Sequence, residues 1–88
     1  MPLLTGKTAI VTGGGRGLGS AISTTFAAEG AHVVIVDMNS EAAAEVVASI
    51  EASGGSASAE VLDISDRDAV NAFGARTVEK YGTIDILM

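Results

Sequence analysis

The fold is decided by the stretch TAIVTGGGRGLG, which occupies residues 8–19. Its first four residues are apolar or β-branched, and they predict a short strand that is buried on both faces. The glycines that follow let the backbone turn sharply and approach an anion closely. Residues 20–26 continue as a helix, whose first turn offers unpaired N–H groups and the positive end of the helix dipole. A strand, a glycine-rich turn and a helix in this order predict a cradle for phosphate groups.

The spacing of the glycines narrows the choice of ligand. No Gly-Lys-Ser/Thr follows the loop, which disfavours the P-loop of ATPases and GTPases. The loop is also not G-x-G-x-x-G, because Leu18 stands where the third glycine would be; it reads Thr12-Gly13-x-x-x-Gly17-x-Gly19. Asp37 ends the second predicted strand, where a carboxylate that accepts hydrogen bonds from a ribose diol is expected. A glycine turn without a ligand is the alternative, but this position and Asp37 favour a dinucleotide site.

Strands and helices alternate along the whole chain, and no change in composition marks a linker. The order β-α-β-α-β-α-β implies a parallel sheet with right-handed crossovers. We expect an α/β, doubly wound (Rossmann) sheet with strand order 3-2-1-4, so that residues 1–88 form part of one nucleotide-binding domain that is truncated at strand four. The predicted strands are residues 7–11, 31–36, 56–62 and a fourth that begins at 84, and the predicted helices are residues 16–29, 41–52 and 66–81.

Two local patterns make further predictions about the helices. Leu18, Ile22 and Phe26 recur every four residues and predict the inward face of the first helix. Ser65, with an acid at Asp68 three positions later, resembles the start signal of the third helix, with the serine hydroxyl as the cap.

Composition excludes several classes of function. The net charge of −6 comes without a basic stripe, which argues against a nucleic-acid partner and against anionic membrane surfaces. The absence of cysteine excludes a thiol nucleophile and a zinc–thiolate site, and it is compatible with the cytoplasm. The longest apolar run, residues 33–36, is too short to span a bilayer, and no signal peptide is evident. His32 is interpreted as structural, and Asp66 and Asp68 as supports of a helix start, so no metal site is predicted.

Four motifs together resemble the short-chain dehydrogenase/reductase superfamily. They are the glycine loop, Asp37 at the end of strand two, Leu62-Asp63-Ile64 after strand three, and the run GTIDIL at residues 82–87. The resemblance covers residues 4–88 and implies a dinucleotide cofactor. The cofactor-binding residues that it implies are Gly13, Gly15, Arg16, Gly17, Leu18, Gly19, Asp37, Met38, Leu62, Asp63 and Ile64.

The resemblance also implies individual roles within this set. Gly13 would make the tight turn, and Gly17 and Gly19 would bring the first helix close to the pyrophosphate. Asp37 would hold the adenine ribose, and Asp63 would contact the adenine. Arg16, Leu18 and the backbone around them would touch the adenosine and phosphate portion, with Leu62 and Ile64 packing beside Asp63. Alternatively, Asp63 only ends a strand, and Leu62 and Ile64 are ordinary core residues.

Asp37 also bears on the choice of cofactor. A carboxylate accepts a hydrogen bond from a 2′-hydroxyl but repels a 2′-phosphate. Met38 and Asn39, which follow it, are neutral. Arg16 points the other way, because a basic residue at that loop position resembles those that accompany NADP binding. The sequence therefore predicts a preference for NAD(H), with NADP(H) left open.

The groups that carry the family's chemistry are not found in these 88 residues. They are an Asn-Asn-Ala-Gly run after strand four and, later in the family's sequence, the catalytic serine and a Tyr-x-x-x-Lys pair; four positions after Tyr81 stands Asp85, not lysine. No catalytic residue is predicted here. We expect the amino-terminal part of an oxidoreductase that transfers hydride between NAD(H) and an alcohol or ketone and that is a homo-oligomer when complete. A stand-alone nucleotide-binding module and an inactive fragment are the alternatives.

Overall fold

The structure, a computed structural model, describes residues 4–13, 15, 17–81, 86 and 87. Strands and helices alternate as predicted, and the observed bounds of each strand lie within a residue or two of the expected ones where both can be compared. The elements are β1 (Thr8–Thr12), α1 (Gly17–Ala28), β2 (His32–Asp37), α2 (Ser40–Ala52), β3 (Ser56–Val61), α3 (Arg67–Tyr81) and β4 (Ile86–Leu87).

The strands form one parallel sheet in the order β3-β2-β1-β4, which confirms the predicted topology. Thr12 at the end of β1 lies beside Val36, and Asp37 at the end of β2 lies beside Val61. The carboxyl ends of β1, β2 and β3 therefore meet at one edge of the sheet. This register brings the glycine loop and Asp37 together.

Strand β2 supplies side chains to two separate hydrophobic cores. Val33 and Ile35 pack on the face that α1 and α2 cover, whereas Val34 and Val36 pack with Phe73 of α3 on the other face. Successive side chains of a strand point to opposite faces, so a strand covered on both sides needs an unbroken apolar run. The run VVIV of β2 is uninterrupted because helices cover both faces of this strand.

Helix α1 meets the sheet through smaller side chains than expected. Leu18 is 78 % exposed, so its predicted place on the inward face was wrong, while Ile22 and Phe26 pack at the margin of the core. The buried positions of α1 are Ser23 and Ala27. The Ser23 hydroxyl donates to the Gly19 carbonyl at 2.8 Å, which satisfies its polar atom inside the core. Small residues let α1 lie close to the strands, and the larger ones flank the contact.

The starts of α2 and α3 use the same kind of cap. At α2, Asn39 Oδ1 accepts from the Ala42 N–H at 3.0 Å and so caps the helix. At α3 the predicted serine cap was wrong. Asp66 Oδ1 accepts from the Ala69 N–H at 3.2 Å, and the Ser65 hydroxyl turns to Asp63 instead. The carboxylate of Asp63 attracts this hydroxyl, which leaves the next residue to cap the helix.

Several expectations fall beyond the described residues. Of the predicted fourth strand, Ile86 and Leu87 pair with Ala9 and Ile10, and the remaining predicted positions lie outside the described residues. Arg16 of the glycine loop also lies outside the described residues. Within residues 4–13, 15, 17–81, 86 and 87, no helix has the length and apolar character that crossing a membrane requires.

Candidate functional site

The glycine loop leaves β1 through a left-handed turn. Gly13 has a φ of +65°, a conformation that residues with a side chain rarely adopt, and its N–H donates to the Val36 carbonyl at 2.7 Å. Gly17 opens α1 with a φ of +55°. Both ends of the turn therefore favour glycine. The Gly13 hydrogen bond ties the start of the loop to the last buried residue of β2.

The carboxylate of Asp37 is held by backbone N–H groups from two different segments. Asp37 Oδ2 accepts from the Gly15 N–H at 3.2 Å, and Oδ1 accepts from the Asn39 N–H at 2.9 Å. Asp37 is half-buried at the end of β2. These two hydrogen bonds fix the orientation of the side chain at the edge where the strands end.

Gly15 lies where no side chain fits. It is buried, and a Cβ at this position would come within 2.9 Å of both the Ala43 nitrogen and Asp37 Oδ2, and within 3.0 Å of the Ala42 carbonyl carbon. Both helix atoms belong to the backbone of the first turn of α2. The loop, the carboxylate and the start of α2 are consequently packed against one another.

A pocket of about 220 Å³ opens beside this arrangement. It joins the Asp37 carboxylate to apolar side chains, and an adjoining apolar cavity of about 150 Å³ shares some of the same walls. Met38 is 67 % exposed and Ile64 is 62 % exposed, so two large apolar side chains face solvent at the site. Apolar surface of this kind, with a few polar groups, suits a flat ring more than water. The pocket is lined by Gly13, Val36, Asp37, Met38, Leu62 and Ile64.

Asp63 lies next to this pocket but is not one of the lining residues. Its Oδ1 accepts from the Ser65 N–H at 2.9 Å and from the Ser65 hydroxyl at 2.7 Å. These hydrogen bonds, the hydroxyl first, hold the pKa of the fully exposed Asp63 carboxyl below its usual range. The predicted contact of Asp63 with an adenine stays a prediction.

Sequence reasoning missed that Asn39 and Ser65 help to orient these acids. Asn39 and Ser65 each stand two positions after an aspartate and donate their N–H to its carboxylate. This is the Asx turn, and the short patterns Asp-x-Asn and Asp-x-Ser are a signal for it. The loops after β2 and β3 therefore begin in the same way.

The structure brings together most of the predicted site residues that it describes. Five of them line the pocket, and Gly15 contacts one of those five. Gly17, Leu18 and Gly19 lie in the first turn of α1 and not in the pocket wall. The predicted residues that line the pocket are Gly13, Asp37, Met38, Leu62 and Ile64.

Larger hollows lie elsewhere on the molecule but lack this combination of groups. One of about 410 Å³ lies between the carboxyl ends of α1 and α2, and no charged residue lines it. Another of about 280 Å³, between β3 and α3, contains Arg76, which forms an ion pair with Glu60. Among the described residues, no group of three His, Cys, Asp or Glu side chains could hold a metal ion. Size alone therefore does not identify the site.

Known oxidoreductases are similar to this chain in sequence and in structure. The family model for short chain dehydrogenases matches residues 7–88. The uncharacterized oxidoreductase YxbG of Bacillus subtilis (strain 168) is 44 % identical over 87 residues, which are 99 % of this chain and 32 % of that protein. This chain therefore spans about a third of the length of that relative.

Two solved structures that resemble this chain contain a cofactor. A metagenomic short-chain oxidoreductase in complex with NADP superimposes with a TM-score of 0.93 and 37 % identity, over 96 % of this chain and 38 % of that one. A 7α-hydroxysteroid dehydrogenase complexed with NADH and 7-oxo glycochenodeoxycholic acid superimposes with a TM-score of 0.89 and 44 % identity, over 96 % and 33 %. Relatives with this fold thus hold either nicotinamide dinucleotide.

Proposed function

Because the chain belongs to the short-chain dehydrogenase family, we propose that its glycine loop and Asp37 bind the adenosine end of NAD(H) in an oxidoreductase. The observation that carries the proposal is the pocket in which the Asp37 carboxylate and the backbone of Gly13 face apolar walls. A ribose diol, a pyrophosphate and an adenine ring need a hydrogen-bond acceptor, backbone N–H donors and apolar surface respectively. The described residues supply an acceptor and an apolar wall at one edge of the sheet.

Asp37 keeps the capacity to accept from a ribose. Each carboxylate oxygen has two lone-pair sites, and Gly15 and Asn39 each use one site on a different oxygen. The hydroxyls of a ribose diol can therefore donate to the remaining sites without displacing either backbone donor. Met38, Leu62 and Ile64 offer the apolar surface against which an adenine ring would lie.

The two ends of the cofactor have different tasks. When bound, the nicotinamide would accept a hydride from an alcohol or, in its reduced form, donate one to a ketone. In this proposal residues 1–88 hold the adenosine end of the cofactor. The sole tyrosine of the sequence, Tyr81, contacts His32 at the start of β2 and so lies at the opposite end of this strand from Asp37. We assign Tyr81 no part in proton transfer.

The preference between the two cofactors rests on charge. Asp37 faces the pocket as a carboxylate, and a 2′-phosphate would add nearly two negative charges beside it. We therefore propose NAD(H) as the preferred cofactor. Arg16, which lies outside the described residues, is the one loop residue whose charge would favour NADP(H).

The complete protein's reaction follows from the family. We propose hydride transfer between the nicotinamide ring and an alcohol or ketone. The contacts of Asp63, Leu18 and Arg16 with the cofactor, the homo-oligomeric state and a cytoplasmic location stay predictions from the sequence.

Isothermal titration tests the cofactor. The protein expressed from its complete coding sequence is titrated with NADH and with NADPH, alongside the Asp37→Ala variant. We expect NADH to bind at least about tenfold more tightly, because one hydrogen bond to a charged group contributes about 1.5–3 kcal/mol. The Asp37→Ala variant should lose most of this difference. Tighter binding of NADPH by the unaltered protein would overturn the preference.

A second assay separates an enzyme from a binding module. Alcohols with NAD⁺, and ketones with NADH, are mixed with the same protein, and the absorbance of NADH is followed. Turnover of any of them is expected for an oxidoreductase. Cofactor binding without turnover of primary, secondary, cyclic and steroid alcohols would favour a nucleotide-binding module.

A further inference from the structure

We propose that Gly15 is a positioning residue for Asp37, so that the glycine loop aims the carboxylate at the ribose of the cofactor. The inference rests on the proposed function, since it concerns how the same site recognises its ligand. It assigns to Gly15 a role toward another protein residue rather than toward phosphate.

The geometry of the two hydrogen bonds carries the proposal. The N–H of Asn39, in the turn that follows Asp37, donates to Asp37 Oδ1 at 2.9 Å. The N–H of Gly15 donates to Asp37 Oδ2 at 3.2 Å, although the two residues are 22 positions apart in the chain. One donor on each oxygen fixes the rotation of the carboxylate plane. The local Asx turn holds one oxygen, and only the bond from the loop determines the direction of the other.

Packing around residue 15 leaves room only for a glycine to donate this hydrogen bond to Asp37. A Cβ at position 15 would lie 2.9 Å from Asp37 Oδ2 itself and 2.9 Å from the Ala43 nitrogen, closer than real Cβ contacts. The start of α2 has little room to retreat, because Ala43 is 0 % exposed and its N–H donates to the Asn39 carbonyl at 3.1 Å. A side chain at this position therefore moves the loop away from the carboxylate.

The consequence differs between ligands. NADH carries a 2′-hydroxyl that can donate to Asp37, so a carboxylate that has lost its orientation binds it less well. NADPH carries a phosphate on that oxygen and cannot make this donation. A change at Gly15 should consequently weaken NADH binding more than NADPH binding.

A double-mutant cycle on the complete protein tests the role. We expect Gly15→Ala to raise the Kd for NADH about tenfold, within the range of one hydrogen bond to a charged group. In the Asp37→Ala background the same substitution should change the Kd less than about twofold. An equal factor in both backgrounds would overturn the proposal, because Gly15 would then act without Asp37. Gly54→Ala after α2, where a Cβ meets nothing within 4 Å and which lines neither the pocket nor the adjoining cavity, is the control for a glycine-to-alanine change.

Amide hydrogen exchange provides a test that does not need a variant of Gly15. In the Asp37→Ala protein the Gly15 N–H should exchange faster than in the unaltered protein, whereas the Gly13 N–H, bonded to the Val36 carbonyl, should keep its protection. Unchanged protection at Gly15 would contradict the proposal. This readout needs no cofactor, so it separates a wrong role for Gly15 from a protein that binds neither NADH nor NADPH.

Discussion

The rings of His32 and Tyr81 lie 4.8 Å apart between centroids, at an interplanar angle of 33°. This contact joins the first residue of β2 to the last residue of α3. The imidazole also meets two serine hydroxyls of β3, with Nδ1 2.5 Å from Ser56 Oγ and Nε2 3.2 Å from Ser58 Oγ. The histidine thus links three elements at the sheet edge opposite to Asp37, as a structural residue.

Stability should fall as the pH is lowered through the histidine range. Burial, followed by the nearby charge of Lys80, lowers the pKa of His32 below its ordinary 6.5. Between 6.5 and that lower folded-state pKa, the unfolded chain binds the proton and the folded chain does not. The stabilisation from neutral His32 is therefore complete above the unfolded pKa and declines as the pH falls below it.

Urea unfolding from about pH 8 to about pH 5 measures this effect, with His32→Gln as the control. The variant keeps a hydrogen-bonding side chain but has no imidazole to titrate. The free energy of unfolding should decrease more steeply toward acid in the unaltered protein than in the variant. Parallel curves for the two proteins would mean that His32 contributes nothing to the pH dependence.

Two glycines that follow helices in left-handed conformation offer a matched comparison. Gly30 has a φ of +98° and Gly54 a φ of +87°. A Cβ on Gly54 would meet nothing within 4 Å, whereas one on Gly30 would lie 2.7 Å from Thr5 Oγ1 and 3.1 Å from Thr5 Cα. Gly54→Ala should lower the free energy of unfolding by about 1–2 kcal/mol through backbone strain alone.

Gly30→Ala should lower it by about 1–3 kcal/mol more, because the new methyl group also pushes against the segment around Thr5. Chemical denaturation of both variants gives the comparison. Equal losses in the two variants would show that the segment around Thr5 gives way freely.

The start of α3 supplies a test of the corrected cap. Removing the side chain of an N-cap costs about 0.5–2 kcal/mol. Asp66→Ala should therefore lower the free energy of unfolding by such an amount, and Ser65→Ala by clearly less, because the Ser65 hydroxyl bonds Asp63 and not the helix. A larger loss in Ser65→Ala than in Asp66→Ala would restore the serine as the cap.

Periodicity and turn chemistry predicted the sheet well. The unbroken VVIV of β2 required cover on both faces, and alternation of strands and helices then left the order 3-2-1-4. Asp37 was predictable because the end of β2 lies beside the first loop in any such sheet. These features depend on regular patterns that are local in the sequence.

Such patterns did not predict the positions or contacts of three residues, Leu18, Ser65 and Gly15. Leu18 has the helical spacing of an inward-facing residue but is exposed, because the small residues Ser23 and Ala27 form the buried face of α1. A search for large apolar residues at this spacing does not find them. Ser65 had two possible partners, and the nearby Asp63 carboxylate decided between them. The contact of Gly15 with Asp37 depends on tertiary packing against α2, which no spacing in the sequence encodes.

Hydrogen–deuterium exchange with and without NADH tests most directly the central claim, which is that the cofactor lies at the carboxyl ends of β1, β2 and β3. We expect NADH to protect peptides that cover residues 12–19, 36–39 and 61–65. Peptides that cover residues 24–30 and 50–55, around the larger hollow between α1 and α2, should show no change. Protection confined to residues 24–30 and 50–55, with none in the glycine loop, would contradict the account.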